Sequence, residues 1–208
     1  MGSTHNQQGQ SVALNILVGL LLVFSGAFFV AWPEKTLAMV IENQTFEGGG
    51  LGEWRTFTTS NGTVGDEGFP DIHPFDVGTQ GKINNSVRFQ VGHEKFDRKM
   101  PGLQGGGIFT TFDSPEGSLT LSCDIAVTYT TPDIKRNLEG GVFELVVDGK
   151  VFDQFTTGPI NQGATIRHRL QSTVPVQSGI HDLRIRITRP FGNVGAPFQF
   201  IDNIEVSN

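Results

Sequence analysis

Residues 117–130 read GSLTLSCDIAVTYT, and this run limits the fold more than any other stretch. Leu119, Leu121, Cys123, Ile125, Val127 and Tyr129 alternate with Thr120, Ser122, Asp124, Ala126 and Thr128. Successive side chains of a strand point to opposite faces, so the run has one apolar face and one mostly polar face. A helix would scatter the same residues around its circumference. The pattern predicts a central strand of an antiparallel sheet with its apolar face on a core. The 27 glycines, and the lack of helical periodicity after the first 40 residues, extend that expectation to an all-β chain. Cys123 is the only cysteine, so no intrachain disulfide can form, and its place on the apolar face predicts a buried, inert thiol.

The N-terminus has a different character. Val12 to Trp32 is a run of 21 residues without a charge. Two readings stand. Met1 to Ser11 lacks the Lys or Arg of a secretory n-region, whereas Pro33 ends the apolar run and Thr36-Leu37-Ala38 offers a peptidase small residues. Uncleaved, the run is long enough to span a bilayer. Residues 1–38 are therefore a signal peptide or a membrane anchor, and 39–208 form the folded domain. Either reading places the domain outside the cytoplasm, secreted or on the outer side of the envelope, and limits membrane contact to this segment.

The net charge of −6 is spread along the chain without a basic run, which argues against a nucleic-acid partner. Catalytic signatures are lacking as well: there is no Gly-x-Ser-x-Gly, no His-Glu-x-x-His, no phosphate loop and no Cys-His pairing. His168 alternates with Ile166 and Leu170 and reads as an inward histidine with its partners satisfied; His181, beside a turn, reads as a surface residue. The expectation is a protein that binds, not an enzyme.

About nine strands follow in order. Val40–Phe46, Glu53–Phe57, Ile83–Val91 and Ile108–Phe112 precede the central run; Val142–Phe155, Thr165–Val174, Ile180–Arg189 and Phe198–Val206 follow it. Val142–Phe155 holds Asp148-Gly149 between apolar runs, the clearest hairpin signal in the chain. Gly62–Gly81, with Pro70 and Pro74, and Gly92–Gly107, ending in three glycines, read as long loops. The acidic group Asp66, Glu67, Asp71, His73 and Asp76 lacks the spacing of a calcium loop and reads as solvated. A sandwich or jelly roll suits this strand count.

Several pieces in this order resemble the galactose-binding-like jelly rolls of the carbohydrate-binding-module type. They are Asn43-Gln44-Thr45-Phe46-Glu47 followed by Trp54, Ser86-Val87-Arg88-Phe89, and Gly107-Ile108-Phe109-Thr110-Thr111-Phe112. Ser178-Gly179-Ile180-His181-Asp182-Leu183-Arg184 and Phe200-Ile201-Asp202-Asn203-Ile204-Glu205-Val206 complete the set. The resemblance covers residues 40–206. It implies a β-sandwich that recognises carbohydrate on cell surfaces or in extracellular polysaccharide. It also implies a structural calcium where the first and last strands meet, with Glu47 and Asp202 as carboxylate ligands; carboxylates far apart in sequence suit this hard, oxygen-seeking ion.

For a glycan, the candidate contacts are Arg88, His93 and Phe96, the last two on a loop at the end of the sandwich. Four arginines join them. Arg167 and Arg169 lie opposite the apolar face of Thr165–Val174, and Arg184 and Arg186 opposite that of Ile180–Arg189. If these two segments pair directly, the four arginines form one cluster. Carboxylates such as Asp124 or Glu144 could neutralise it, or an acidic polysaccharide could, since the guanidinium fork suits uronate or sulfate. If consecutive strands go to opposite sheets, the cluster splits. Trp32 falls in the leader, Trp54 packs inside such folds and Tyr129 faces the core, so aromatic platforms are scarce. A structural protein of the envelope or of an extracellular assembly, with some self-association, is the competing reading.

Overall fold

The computed structural model describes residues 41–60, 62–78, 81–92, 103–130, 138–190 and 197–207. The leader 1–38 and the loop positions His93 and Phe96 lie outside them. Thirteen strands form among the described residues. In chain order they are β1 Ile41–Gln44, β2 Arg55–Thr58, β3 Asp71–Phe75, β4 Asn84–Phe89, β5 Leu103–Ser114, β6 Gly117–Thr128 and β7 Leu138–Glu139. Then come β8 Val142–Val147, β9 Lys150–Thr156, β10 Pro159–Ile160, β11 Thr165–Val176, β12 Gly179–Pro190 and β13 Phe198–Ser207.

Two antiparallel sheets stack face to face. Sheet A has the order β11-β6-β13-β4-β3, with β1 also paired to β13, and sheet B has the order β2-β5-β12-β8-β9. β7 and β10 make a separate two-stranded ribbon. From β4 to β5, β5 to β6, β11 to β12 and β12 to β13 the chain changes sheet at every step, which is the wiring of a jelly roll.

The strand that organises the sequence also organises the fold. β6 lies between β11 and β13. Leu119, Leu121, Cys123, Ile125 and Val127 are no more than 3% exposed. They meet Ile108, Phe143, Leu145, Leu183, Ile185 and Ile187 from sheet B in one core, which also takes in Trp54 and Tyr129. Full burial of such side chains contributes about 1.5–3 kcal/mol each. Burial also drives the Cys123 thiol far above its ordinary range, so it stays protonated and inert. The Asp148-Gly149 hairpin forms as expected between β8 and β9, with both residues at positive φ.

Two expected loops contain strands. β3 lies within 62–81 and pairs along its length with β4. Its Pro74 sits on an outermost strand of sheet A, where a missing N–H costs no ladder bond. Gly105, Gly106 and Gly107 lie inside β5, because neighbouring chain packs directly on their backbone. A Cβ at Gly107 would stand 2.0 Å from the Ile185 carbonyl oxygen, and one at Gly106 would stand 2.9 Å from that of Thr63.

Candidate functional site

In β12, Leu183, Ile185 and Ile187 are fully buried, so strand alternation turns Arg184 and Arg186 out of sheet B. The register then builds two adjacent rows across all five strands. One runs Phe57, Gly107, Arg186, Glu144, Gln154, and the other Arg55, Phe109, Arg184, Val146, Val151. Neighbouring strands lie about 4.8 Å apart, so each row spans roughly 19 Å.

The chemistry of this face is graded. Phe57 and Phe109 pack edge to face with centroids 6.2 Å apart, and both remain partly exposed. The Arg184 guanidinium carbon lies 5.2 Å from the Phe57 centroid and 5.5 Å from that of Phe109. Asp182 receives the Arg184 fork through both carboxylate oxygens. Arg186 donates to Glu144 on β8. Gly107 is buried and adds no side chain between Phe57 and Arg186, so the face has apolar rings and hydrogen-bonding pairs side by side.

Arg167 and Arg169 lie on the opposite side of the molecule. β11 pairs with β6 in sheet A and β12 with β5 and β8 in sheet B, so the four arginines form two pairs rather than one cluster. Each is also paired with a carboxylate. Arg169 bridges Asp124 at 3.0 Å and Glu205 at 2.7 Å, and Arg167 reaches the Asp76 carbonyl at 2.8 Å and its carboxylate at 3.5 Å. Of the two ways the sequence left open for neutralising these arginines, carboxylates of the chain itself are present beside them. Two of the neutralising carboxylates, Asp124 and Glu144, are the ones the sequence nominated.

Arg88 also belongs to sheet A. It donates to both oxygens of Asp71 and lies within 5.3 Å of the Phe69 and Phe198 ring centroids. Asp71 and Asp76 are thus committed ion-pair partners and not solvated loop acids. A cleft of about 570 Å³ opens on sheet A beside Glu47, Asp76, Asp124, Arg167, Arg169 and Glu205. Among these residues charge is abundant and aromatic rings are lacking.

Glu47 and Asp202 approach each other through Asn84 and Asn85. Asn84 Nδ2 donates to Asp202 Oδ2 at 2.6 Å, and the Asn85 amide donates to Glu47 Oε1 at 3.2 Å. Asp202 is fully buried, and its Oδ1 has no hydrogen-bond partner. Burial, reinforced by the charges of Asp124 and Glu47, pushes its pKa up to about 6 against the hydrogen bonds from Asn203 and Asn84. An orphaned, buried carboxylate oxygen is what a hard cation would satisfy, so the donor set fits calcium. Among the described residues no group of three or more His, Cys, Asp and Glu gathers around a metal position, so main-chain or amide oxygens would complete the shell.

His181 is 8% exposed, not at the surface as expected. Its ring reaches Asp148 and the Gln177 carbonyl. His168 faces inward opposite Ile125, half-buried and stacked on Phe155 with centroids 4.0 Å apart. The residues that sequence reasoning missed are Phe57, Phe109 and Asp182. Alternation within β5 was the available signal, since Ile108 and Phe112 are buried and Phe109 between them must face outward.

No protein-family model matches the sequence, and no curated protein matches it. Solved structures resemble it in fold. A family 61 carbohydrate-binding module in complex with β-1,4-galactotriose shares 12% identity at a TM-score of 0.47, over 80% of this chain and 95% of that one. A xylan-binding domain of family 22 shares 13% at a TM-score of 0.46, over 84% and 96%. The K1 cleaved adhesin domain of Lys-gingipain from Porphyromonas gingivalis shares 12% at 0.47, over 82% and 98%.

Proposed function

We propose that this protein is a non-catalytic carbohydrate-binding domain whose glycan site is the outer face of sheet B. The observation that carries this reading is the pair of rows crossing β2, β5, β12, β8 and β9. Phe57 and Phe109 offer ring faces to the C–H groups of a pyranose. Arg186 with Glu144, and Arg184 with Asp182, offer planar, oriented hydrogen-bonding groups for hydroxyls. A few polar groups placed among apolar surface are what orients a small ligand.

Arg184 and Arg186, at the centre of the face, are each answered by a carboxylate, so their charge is largely neutralised. The preferred ligand is therefore a neutral glycan rather than the uronate or sulfate polymer that a free arginine cluster would attract. Calcium at Glu47 and Asp202 belongs to this proposal as a structural ion on the far sheet, remote from the sugar. A glycan partner of this kind goes with a place outside the cytoplasm.

Affinity electrophoresis of the purified protein through gels containing xylan, β-1,4-galactan, mannan or pectate tests the reading. Retardation by at least one neutral polymer, lost in Phe109→Ala and indifferent to salt, is the expected result. Retention on pectate alone, weakening as salt rises, would overturn the neutral assignment. Unchanged retention of Phe109→Ala would move the site off this face.

A further inference from the structure

The glycan face is tied at one end to a buried histidine. His181 Nδ1 lies 2.7 Å from Asp148 Oδ2 and Nε2 lies 2.8 Å from the Gln177 carbonyl oxygen. Both ring nitrogens face acceptors, and only the imidazolium can donate to both. Asp148 then grips the main chain of Asp182 at two points: its Oδ1 accepts from the Asp182 amide at 3.0 Å, and its own amide donates to the Asp182 carbonyl at 3.0 Å. The Asp182 side chain receives the Arg184 fork, and Arg184 lies over Phe57 and Phe109. The line from histidine to aromatic pair is continuous.

We propose that Asp148 and His181 are positioning residues for the glycan face, holding Asp182 and through it Arg184, so that glycan binding weakens as His181 loses its proton. This rests on the assignment of sheet B as the glycan face. When the imidazolium becomes neutral, one ring nitrogen turns a lone pair toward an oxygen, and either the Asp148 or the Gln177 contact fails. Slackening at Asp148 frees the two main-chain links to Asp182 and with them the direction of the Arg184 fork.

The other charged group acting on the ring is Asp113, at the end of β5, which also favours the imidazolium; the Phe112 ring packs 5.4 Å away. The hydrogen bond to Asp148 comes first in raising the His181 pKa above its ordinary value, and burial opposes it. Burial also works against the Asp148 carboxylate, but the bonds from His181 and the Asp182 amide outweigh it and hold it below the usual range.

The test follows the Arg184 Nε–H resonance of arginine-labelled full-length protein between about pH 5 and about pH 8, where an imidazole titrates. Arg184→Lys assigns the resonance. A signal that moves with the His181 ring in the parent, and is flat in His181→Gln and Asp148→Asn, supports the relay. Asn tolerates the left-handed backbone that Asp148 adopts, so that variant keeps the turn if His181→Gln folds poorly. A signal that ignores His181 overturns the relay. In gels of β-1,4-galactan or xylan, retention of the parent should weaken about three- to tenfold over the same interval, the weight of one hydrogen bond. Asp148→Asn should hold one weak affinity throughout. A relay visible by resonance, with no retardation in either gel at any pH, would sink the glycan reading and leave the positioning intact.

Discussion

Phe109 stands directly opposite Arg184 in the β5–β12 ladder, with the guanidinium carbon 5.5 Å from its ring centroid. The contact asks two things of one side chain. The planar fork must stack on a ring and also give two parallel hydrogen bonds to Asp182. An ammonium is a point charge and cannot do both.

Arg184→Lys should therefore lose glycan retention nearly as fully as Arg184→Ala, although the charge is kept. The melting temperature should hardly move in either, because exposed ion pairs contribute about 0–1 kcal/mol. Affinity gels and thermal melts of the two variants check this. Full retention by the lysine variant would mean that charge alone suffices.

Arg186 and Glu144 make a different prediction. The Glu144 side chain is only 12% exposed, so it depends on its partner. Removing Arg186 alone leaves a largely desolvated carboxylate unpaired, at a cost of about 1–3 kcal/mol. Arg186→Met combined with Glu144→Leu removes both charges and should be less damaging than Arg186→Met alone. Urea midpoints of the parent, the single and the double variant decide the order. Additive losses would show that the pair is not coupled.

Calcium should raise the melting temperature of the parent, since an ion that binds only the folded state stabilises it. Chelator should reverse the gain, and Asp202→Ala should abolish the difference between the two conditions. Without metal, Asp202 works in the opposite sense. Its folded pKa, about 6, lies above the ordinary 3.8, so the stability it contributes is complete below the lower value and lost as pH rises through the upper one. A melting temperature indifferent to chelator would remove calcium from this fold.

The framework of the fold was legible because it depends on local pattern. The alternation of 117–130, the Asp148-Gly149 turn and the buried Val87, Phe89 and Val91 each follow from neighbours in sequence. β3 was hidden because Pro70 and Pro74 read as loop, and Pro74 is tolerated only because its strand is outermost. Gly105 to Gly107 were hidden for a related reason: glycine reads as a turn, whereas here it admits close backbone neighbours. The site was less legible. Whether Arg169 stands beside Arg184 depends on which sheet takes each strand, and alternation does not encode that. Their carboxylates also arrive from afar: Glu144 lies 42 positions from Arg186, and Asp124 lies 45 from Arg169. The outward Phe109 was within reach, because a strand with Ile108 and Phe112 inside has no other place for it.

The Asp148–His181 contact sets a pH window for stability. His181 has a raised pKa in the folded state, so its contribution is fully present below the ordinary 6.5 and is lost as pH rises through the folded value. Asp148 is shifted the other way, so its contribution is present above the ordinary 3.8 and lost as pH falls through its folded value. The pair therefore stabilises most between about pH 4 and about pH 6.5. Asp202 complicates the alkaline side, because in metal-free protein it also loses stability as pH rises. Comparing the parent with His181→Gln at two pH values removes that complication, as Asp202 is common to both. Between about pH 5.5 and about pH 8, where imidazole gives up its proton, the urea midpoint of the parent should fall further than that of His181→Gln. Parallel falls in the two proteins would show that folding leaves the His181 pKa where it is in the unfolded chain, and a smaller fall in the parent would show that the fold favours the neutral ring.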